Sequence, residues 1–241
     1  MRPVPAPFLD RAFALEVIQR TVERRSIATI VQEVTTRLPA PAQTLVFGGV
    51  LRNSVLSEIL HKPFPVRDLD FVVFGLATDE ELYRAFALEQ PRRNSFGGAK
   101  LSVSGITVDV WRAELELRIA GQPPQVTNIE DFLKCVTLTT DAVLYDPPTA
   151  TLYEQGFLNA MSQRMIDLGA DSLWVSPWKP YHLAHLAYVH RLTGFRISDR
   201  ARACAREAAS QPVIEEAVQY LESRGKCTNP RAAVVSVLNK M

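Results

Sequence analysis

The chain has 241 residues, 47% of them apolar and 22% charged, with 11 Gly and 16 Pro. That composition excludes collagen-like, low-complexity and disordered chains and leaves room for a well-buried core. Lys and Arg number 27 against 26 Asp and Glu, so no global charge draws the chain to nucleic acid; residues 160–241 carry eleven basic against seven acidic, a local excess typical of a solvated helical surface. In chain order, Phe8, Ala12, Leu15 and Ile18 recur at helical spacing, and Ile27, Ile30, Val31, Val34 and Leu38 repeat the pattern until Pro39 and Pro41 stop it. Thr44–Phe47 and Leu69–Phe74 read as strands, with a helix-compatible stretch from Leu51 to Leu60 between them. Asp79 to Leu88 reads as a helix, Ala99–Val103 and Thr107–Trp111 as a hairpin turning at Ser104-Gly105, and Ala142–Tyr145 with Thr151–Tyr153 as a second strand pair. Beyond Gly156 the strand signals fade, and Met161–Leu168, Pro180–Leu192, Asp199–Ala209 and Val213–Ser223 predict a helical tail. The expected fold is therefore α/β (α+β), a small mixed sheet flanked by helices over residues 1–158, followed by an all-helical unit over 159–241.

No apolar run approaches the roughly 18 residues of a membrane span, and prolines interrupt the N-terminus where a signal peptide needs its apolar stretch, so a cytoplasmic protein without membrane contact is expected. Cys135, Cys204 and Cys227 are odd in number and widely spaced, which predicts reduced thiols.

Chemistry concentrates on three carboxylates beside apolar strands, in Arg67-Asp68-Leu69-Asp70-Phe71 and Val108-Asp109-Val110-Trp111. Residues i and i+2 of a strand share a face, so Asp68 and Asp70 point the same way, and a neighbouring strand can bring Asp109 alongside. Converging carboxylates repel one another until a cation intervenes, and hard oxygen donors suit Mg²⁺, which completes its shell with waters and substrate phosphates. A single Asp-x-Asp also reads as a pair of strand-end acids on a solvent face. The turn Phe47-Gly48-Gly49-Val50-Leu51-Arg52 adds weight: two glycines between strand and helix let the backbone approach a phosphate at the helix N-terminus, and Arg52 sits one turn in.

In the order strand, Gly-Gly turn, helix with Arg, Asp-x-Asp strand and third acid, the chain resembles the nucleotidyltransferase superfamily, within it the head and neck of bacterial tRNA CCA-adding enzymes and poly(A) polymerases. The resemblance covers roughly residues 43–209 and includes Phe96-Gly97-Gly98 through Arg112, Thr139-Thr140-Asp141 through Asp146-Pro147, and the helix from His182 to Phe195. It implies NMP transfer from an NTP to an acceptor hydroxyl, with RNA 3′ ends as the family's usual acceptor. It implies Asp68, Asp70 and Asp109 as catalytic residues and Mg²⁺ ligands, and Gly48, Gly49, Arg52 and, more weakly, Arg112 as nucleotide-binding residues.

The departures lie where that family handles the base. Asn53 replaces an Asp, Cys135-Val136-Thr137 replaces an Arg-Arg-Asp segment, Asp141 replaces an Asn, and the neck motif Glu-Asp-x-x-Arg corresponds to Trp178, Lys179 and His182. Altered base specificity is expected, with a non-RNA acceptor or a catalytically retired binding homologue as the alternatives. Trp174 and Trp178 read either as base-stacking surfaces or as core. His182, His185 and His190 cannot converge on one metal from a single helix, since His190 lies about 140° round from His185 at roughly 100° per residue, and a polar neck face at the cleft is expected instead.

Overall fold

The computed structural model describes residues 9–94, 97–114, 126–169, 174, 178–225 and 227–239. Two helices open it, α1 (Arg11–Val22) and α2 (Arg25–Arg37). Asp10 caps α1 by accepting from the Phe13 amide at 2.8 Å, and α2 buries the stripe Ile27, Ile30, Val31 and Val34. Strand β1 (Gln43–Phe47) leads through Gly48 into α3 (Gly49–Ile59), then to β2 (Asp68–Phe74) and α4 (Asp79–Ala85). A reciprocal capping box between Thr78 and Glu81 starts α4, which is shorter than its apolar pattern predicts and gives way to a 3-10 turn at Ala87–Glu89.

The short β3 (Arg92–Arg93) precedes the expected hairpin, β4 (Ala99–Val103) and β5 (Ile106–Arg112). Helix α5 (Ile129–Cys135) comes next, then the second hairpin, β6 (Val143–Asp146) and β7 (Thr151–Glu154). These strands form one seven-stranded sheet in the order β3-β4-β5-β2-β1-β6-β7, in which only the central pair β2 and β5 runs parallel. The mixed sheet and flanking helices are the α/β fold expected from the pattern of periods.

After the sheet come α6 (Phe157–Gln163), β8 (Met165–Ile166), α7 (Lys179–Thr193), β9 (Arg196–Ile197), α8 (Asp199–Ala208), α9 (Gln211–Ser223) and α10 (Pro230–Leu238). Two features depart from the sequence pattern. The helix expected over Met161–Leu168 ends at Gln163, because Arg164 takes a left-handed φ of 48° and turns the chain into β8. The tail is also not all-helical, since β8 and β9 form a two-stranded parallel ladder pairing Met165 with Arg196 and Ile166 with Ile197. Helices α5 and α10 were not anticipated.

The sheet divides the core in two. One face, with Val46, Phe71, Val73 and Val110, packs under α1, α2 and α3 in a cluster that runs on through Met161, Leu183 and Val237 of the later helices. The other face carries a smaller cluster of Leu45, Phe47, Val72 and Trp111 covered by Phe132 and Leu133 of α5. Helix α5 covers only part of that face; the uncovered end is a cleft. Among the described residues no helix is long and apolar enough to cross a membrane.

Candidate functional site

The cleft encloses about 410 Å³ between the sheet and helices α7 and α9. Its floor follows from strand register. Phe47 of β1 pairs with Asp70 of β2, Asp70 with Asp109 of β5, and Asp109 with Lys100 of β4, so four side chains form one row across the sheet on one face. Asp68, two residues before Asp70, shares that face and is exposed, while Asp70 and Asp109 are half-buried. The three predicted carboxylates therefore meet in one cleft. Phe47 and Trp111, edge to face at 5.8 Å, form the apolar ground beneath them.

Asp109 is already engaged. Its Oδ2 lies 3.1 Å from Lys100 Nζ, and its Oδ1 accepts from Asn94 Nδ2 at 3.0 Å. Asn94 is aimed by its own Oδ1, which accepts from the Gly98 amide at 2.8 Å. Only glycine fits there, because a Cβ on Gly98 would stand 2.5 Å from both Trp111 Cβ and the Val110 carbonyl. Among the described residues no three His, Cys, Asp or Glu side chains are gathered to hold one ion. The donor chemistry of Asp68 and Asp70 fits a divalent cation that keeps waters or phosphates in its shell; Asp109 fits only once Lys100 withdraws.

Gly48 ends β1 at φ 64° and ψ −116°, a conformation that L side chains rarely adopt, and its carbonyl starts α3 by accepting from the Arg52 amide at 2.9 Å. Gly48 and Gly49 line the cleft, so the N-terminus of α3 opens onto it. Arg52 also borders the cleft, yet it is 3% exposed and its Nη1 is bound to Asp141 Oδ1. The other oxygen of Asp141 lies 2.9 Å from His185 Nε2. Burial pushes the Asp141 carboxyl up, but Arg52 and His185 outweigh it and hold the group at about 2.

Arg112 does not line the cleft. It follows Trp111 in β5 and so points to the opposite face, where it pairs with Asp79 at 3.2 Å outside the cleft. The neck positions Trp178, Lys179 and His182 do not line the cleft either. His182 is fully buried, its Nδ1 3.2 Å from the Thr137 hydroxyl, and Trp174 packs on it at 5.7 Å as core. His190 Nδ1 meets the Phe195 carbonyl at 2.7 Å. The residues of α7 that face the cleft are Tyr181, His185, Tyr188 and Leu192, at i, i+4, i+7 and i+11. His185 thus supplies the polar contact expected of the histidine-rich face.

Two further residues, marked by no sequence motif, stand on the same helical wall, where Tyr220 and Arg224 project from the end of α9. The guanidinium of Arg224 lies over the Tyr220 ring at 5.4 Å, and Tyr220 meets Tyr181 edge to face at 5.3 Å. Burial pushes the Tyr220 phenol up; Arg224 pulls it down, and the charges of Asp109 and Asp68 push it up again. Their i, i+4 spacing on one helix was the available signal.

No family model matches the chain, and no curated protein matches it in sequence. Solved structures do match. A CCA-adding enzyme in complex with ATP superimposes with a TM-score of 0.66 at 18% identity, over 92% of this chain and 51% of that one. The Thermotoga maritima CCA-adding enzyme complexed with tRNA gives 0.65 at 17%, over 92% and 52%. A tRNA-processing enzyme in an apo form gives 0.63 at 16%, over 89% and 56%. The chain has their fold and spans about half their length.

Proposed function

We propose that the chain is a metal-dependent nucleotidyltransferase that moves NMP from an NTP to an acceptor hydroxyl, with an RNA 3′ end as the acceptor. The observation that carries this reading is the row in which Asp70 and Asp109 stand side by side on adjacent strands, with Asp68 on the same face and the Gly48-Gly49 turn at the edge of the same cleft. The fold shared with CCA-adding enzymes, two of them described in complex with ATP and with tRNA, supports it.

Asp68 and Asp70 would hold Mg²⁺, and Asp109 would join them on release of Lys100. Bound there, Mg²⁺ supplies positive charge to a triphosphate and lowers the pKa of an attacking hydroxyl. The acceptor oxygen bonds to the α-phosphorus, the bond from that phosphorus to the bridging oxygen breaks, and pyrophosphate leaves. Asp109, facing the cleft, accepts the hydroxyl proton. The backbone amides at Gly48 and Gly49 orient the phosphates. The wall of α7 presents Tyr181, His185 and Tyr188 to the base in place of the acid and arginine of the CCA-adding neck motif, which supports a base preference different from C then A.

A second reading, a homologue that binds nucleotide without turning it over, is favoured by the hold of Lys100 on Asp109. One experiment separates them: incubation with each labelled NTP and Mg²⁺ alone, with total RNA, and with cell extract. Label on RNA that is lost in Asp70→Asn supports the proposal. Label on protein or small molecules moves the acceptor away from RNA, and nucleotide binding without transfer supports the retired homologue. A tRNA lacking its CCA, extended faithfully by C, C and A, would refute the altered specificity.

A further inference from the structure

The cleft holds four carboxylates, Asp68, Asp70, Asp109 and Asp141, and a nucleoside triphosphate brings about four more negative charges at neutral pH. Most of the cations nearby are committed. Arg52 is bound to the buried Asp141, Lys100 to Asp109, and Arg93 faces Asp79 at 3.8 Å. Arg67 lines the cleft and is exposed too, but it sits on the sheet side just before β2, next to Asp68. Arg224 stands on the other side, on the helical wall: it lines the cleft from the end of α9, is exposed, and forms no ion pair with a carboxylate among the described residues.

Its position is also built. Gly225, at φ 57°, ends α9 directly after it, and the Arg224 amide donates to the Tyr220 carbonyl at 3.3 Å. The Tyr220 ring lies under the guanidinium, and Tyr220 is itself braced by Tyr181. The guanidinium also donates to the Tyr220 hydroxyl, which leaves the rest of its five N–H groups available, and its fork matches two phosphate oxygens at once.

We infer that Arg224 binds the triphosphate of the incoming nucleotide from the helical wall, in the role that Arg52 gives up by pairing with Asp141. This rests on the nucleotidyl-transfer reading and assigns a new residue to it. Tyr220 acts through Arg224 as a positioning residue. The triphosphate then lies between the N-terminus of α3 on one side and Arg224 on the other, so sheet and helical wall each hold one side of the substrate.

The test is calorimetric titration of the full chain with ATP, GTP, CTP and UTP, each with Mg²⁺, and with the matching monophosphates. Arg224→Gln should weaken the triphosphates that bind wild type by about tenfold or more and their monophosphates by less than about threefold, whereas Arg224→Lys should recover part of the loss because it keeps the charge without the fork. Arg224 is exposed at a helix end, and unchanged melting temperatures verify that the variants keep their fold. Triphosphate affinity equal to wild type in Arg224→Gln, or an equal loss for triphosphates and monophosphates, overturns the inference while leaving the proposed function standing. A wild-type chain that binds none of the four nucleotides overturns both.

Discussion

Lys100 stands directly across the β4–β5 hairpin from Asp109, and its ammonium does at that carboxylate what a cation would do. Replacing it with an uncharged side chain leaves Asp109 to seek another positive partner. Lys100→Met should therefore tighten Mn²⁺ binding to the nucleotide-free protein by about fivefold, near 1 kcal/mol, read by the loss of the free-ion electron paramagnetic resonance signal; unchanged affinity would mean that Asp109 takes no part in the cation site. The pairing follows from the hairpin, because a turn at Ser104-Gly105 sets the register outward from Val103 and Ile106 until Lys100 meets Asp109. The three carboxylates were legible through strand alternation and the Gly-Gly turn. Arg52 was not: nothing local tells a cleft arginine from a buried one when its partner, Asp141, lies 89 residues further on. Arg112 was misread for a simpler reason, since resemblance to a motif outweighed the parity that puts neighbours of a strand on opposite faces.

Among the elements, those with a full period of pattern mostly appear where the pattern puts them, the helix over Met161–Leu168 excepted, and the short ones do not. Strands β8 and β9 have two residues each, too few for alternation to register. Helix α5 is only two turns long and rests on Phe132, Leu133 and Cys135. Helix α10 announces itself by Asn229, whose side chain accepts from the Ala232 amide at 3.1 Å, followed by Pro230 at the first helical position, a start signal that a search for long apolar stripes passes over. Its far end depends on α8. Buried Arg202 donates to the Val237 carbonyl at 3.1 Å and to that of Asn239, and Arg206 donates to the Leu238 carbonyl at 2.7 Å, so two guanidinium groups satisfy carbonyls that a helix C-terminus leaves open. Arg202→Met should lower the stability of the chain by about 2 kcal/mol, the range for hydrogen bonds from a charged donor, seen as a lower urea midpoint at unchanged slope.

At the scale of the molecule, Asp141 joins three parts of the chain: α3 through Arg52, the turn before β6 through its own backbone, and α7 through His185. Its folded pKa of about 2 lies below the ordinary 3.8, so the unfolded chain binds this proton first. The stabilisation is complete above about pH 4 and is lost as pH falls through about 2. Asp141→Asn leaves the Arg52 charge buried without its counterion, at a cost of about 3 kcal/mol at pH 7. The gap between wild type and variant in urea unfolding should narrow as pH drops through that window; a gap constant down to pH 2 would contradict the assignment. The order of the sheet has a further consequence, for synthesis. Strand β1 lies between β2 and β6, and the five strands from β3 to β1 are all made by residue 112, whereas β6 is complete only at residue 146. At about 5–20 residues per second, the ribosome takes roughly two to seven seconds over the interval. Until β6 arrives, Val46 and Phe47 of β1 have no strand to pair with on that side, and a holding chaperone would have most to cover there.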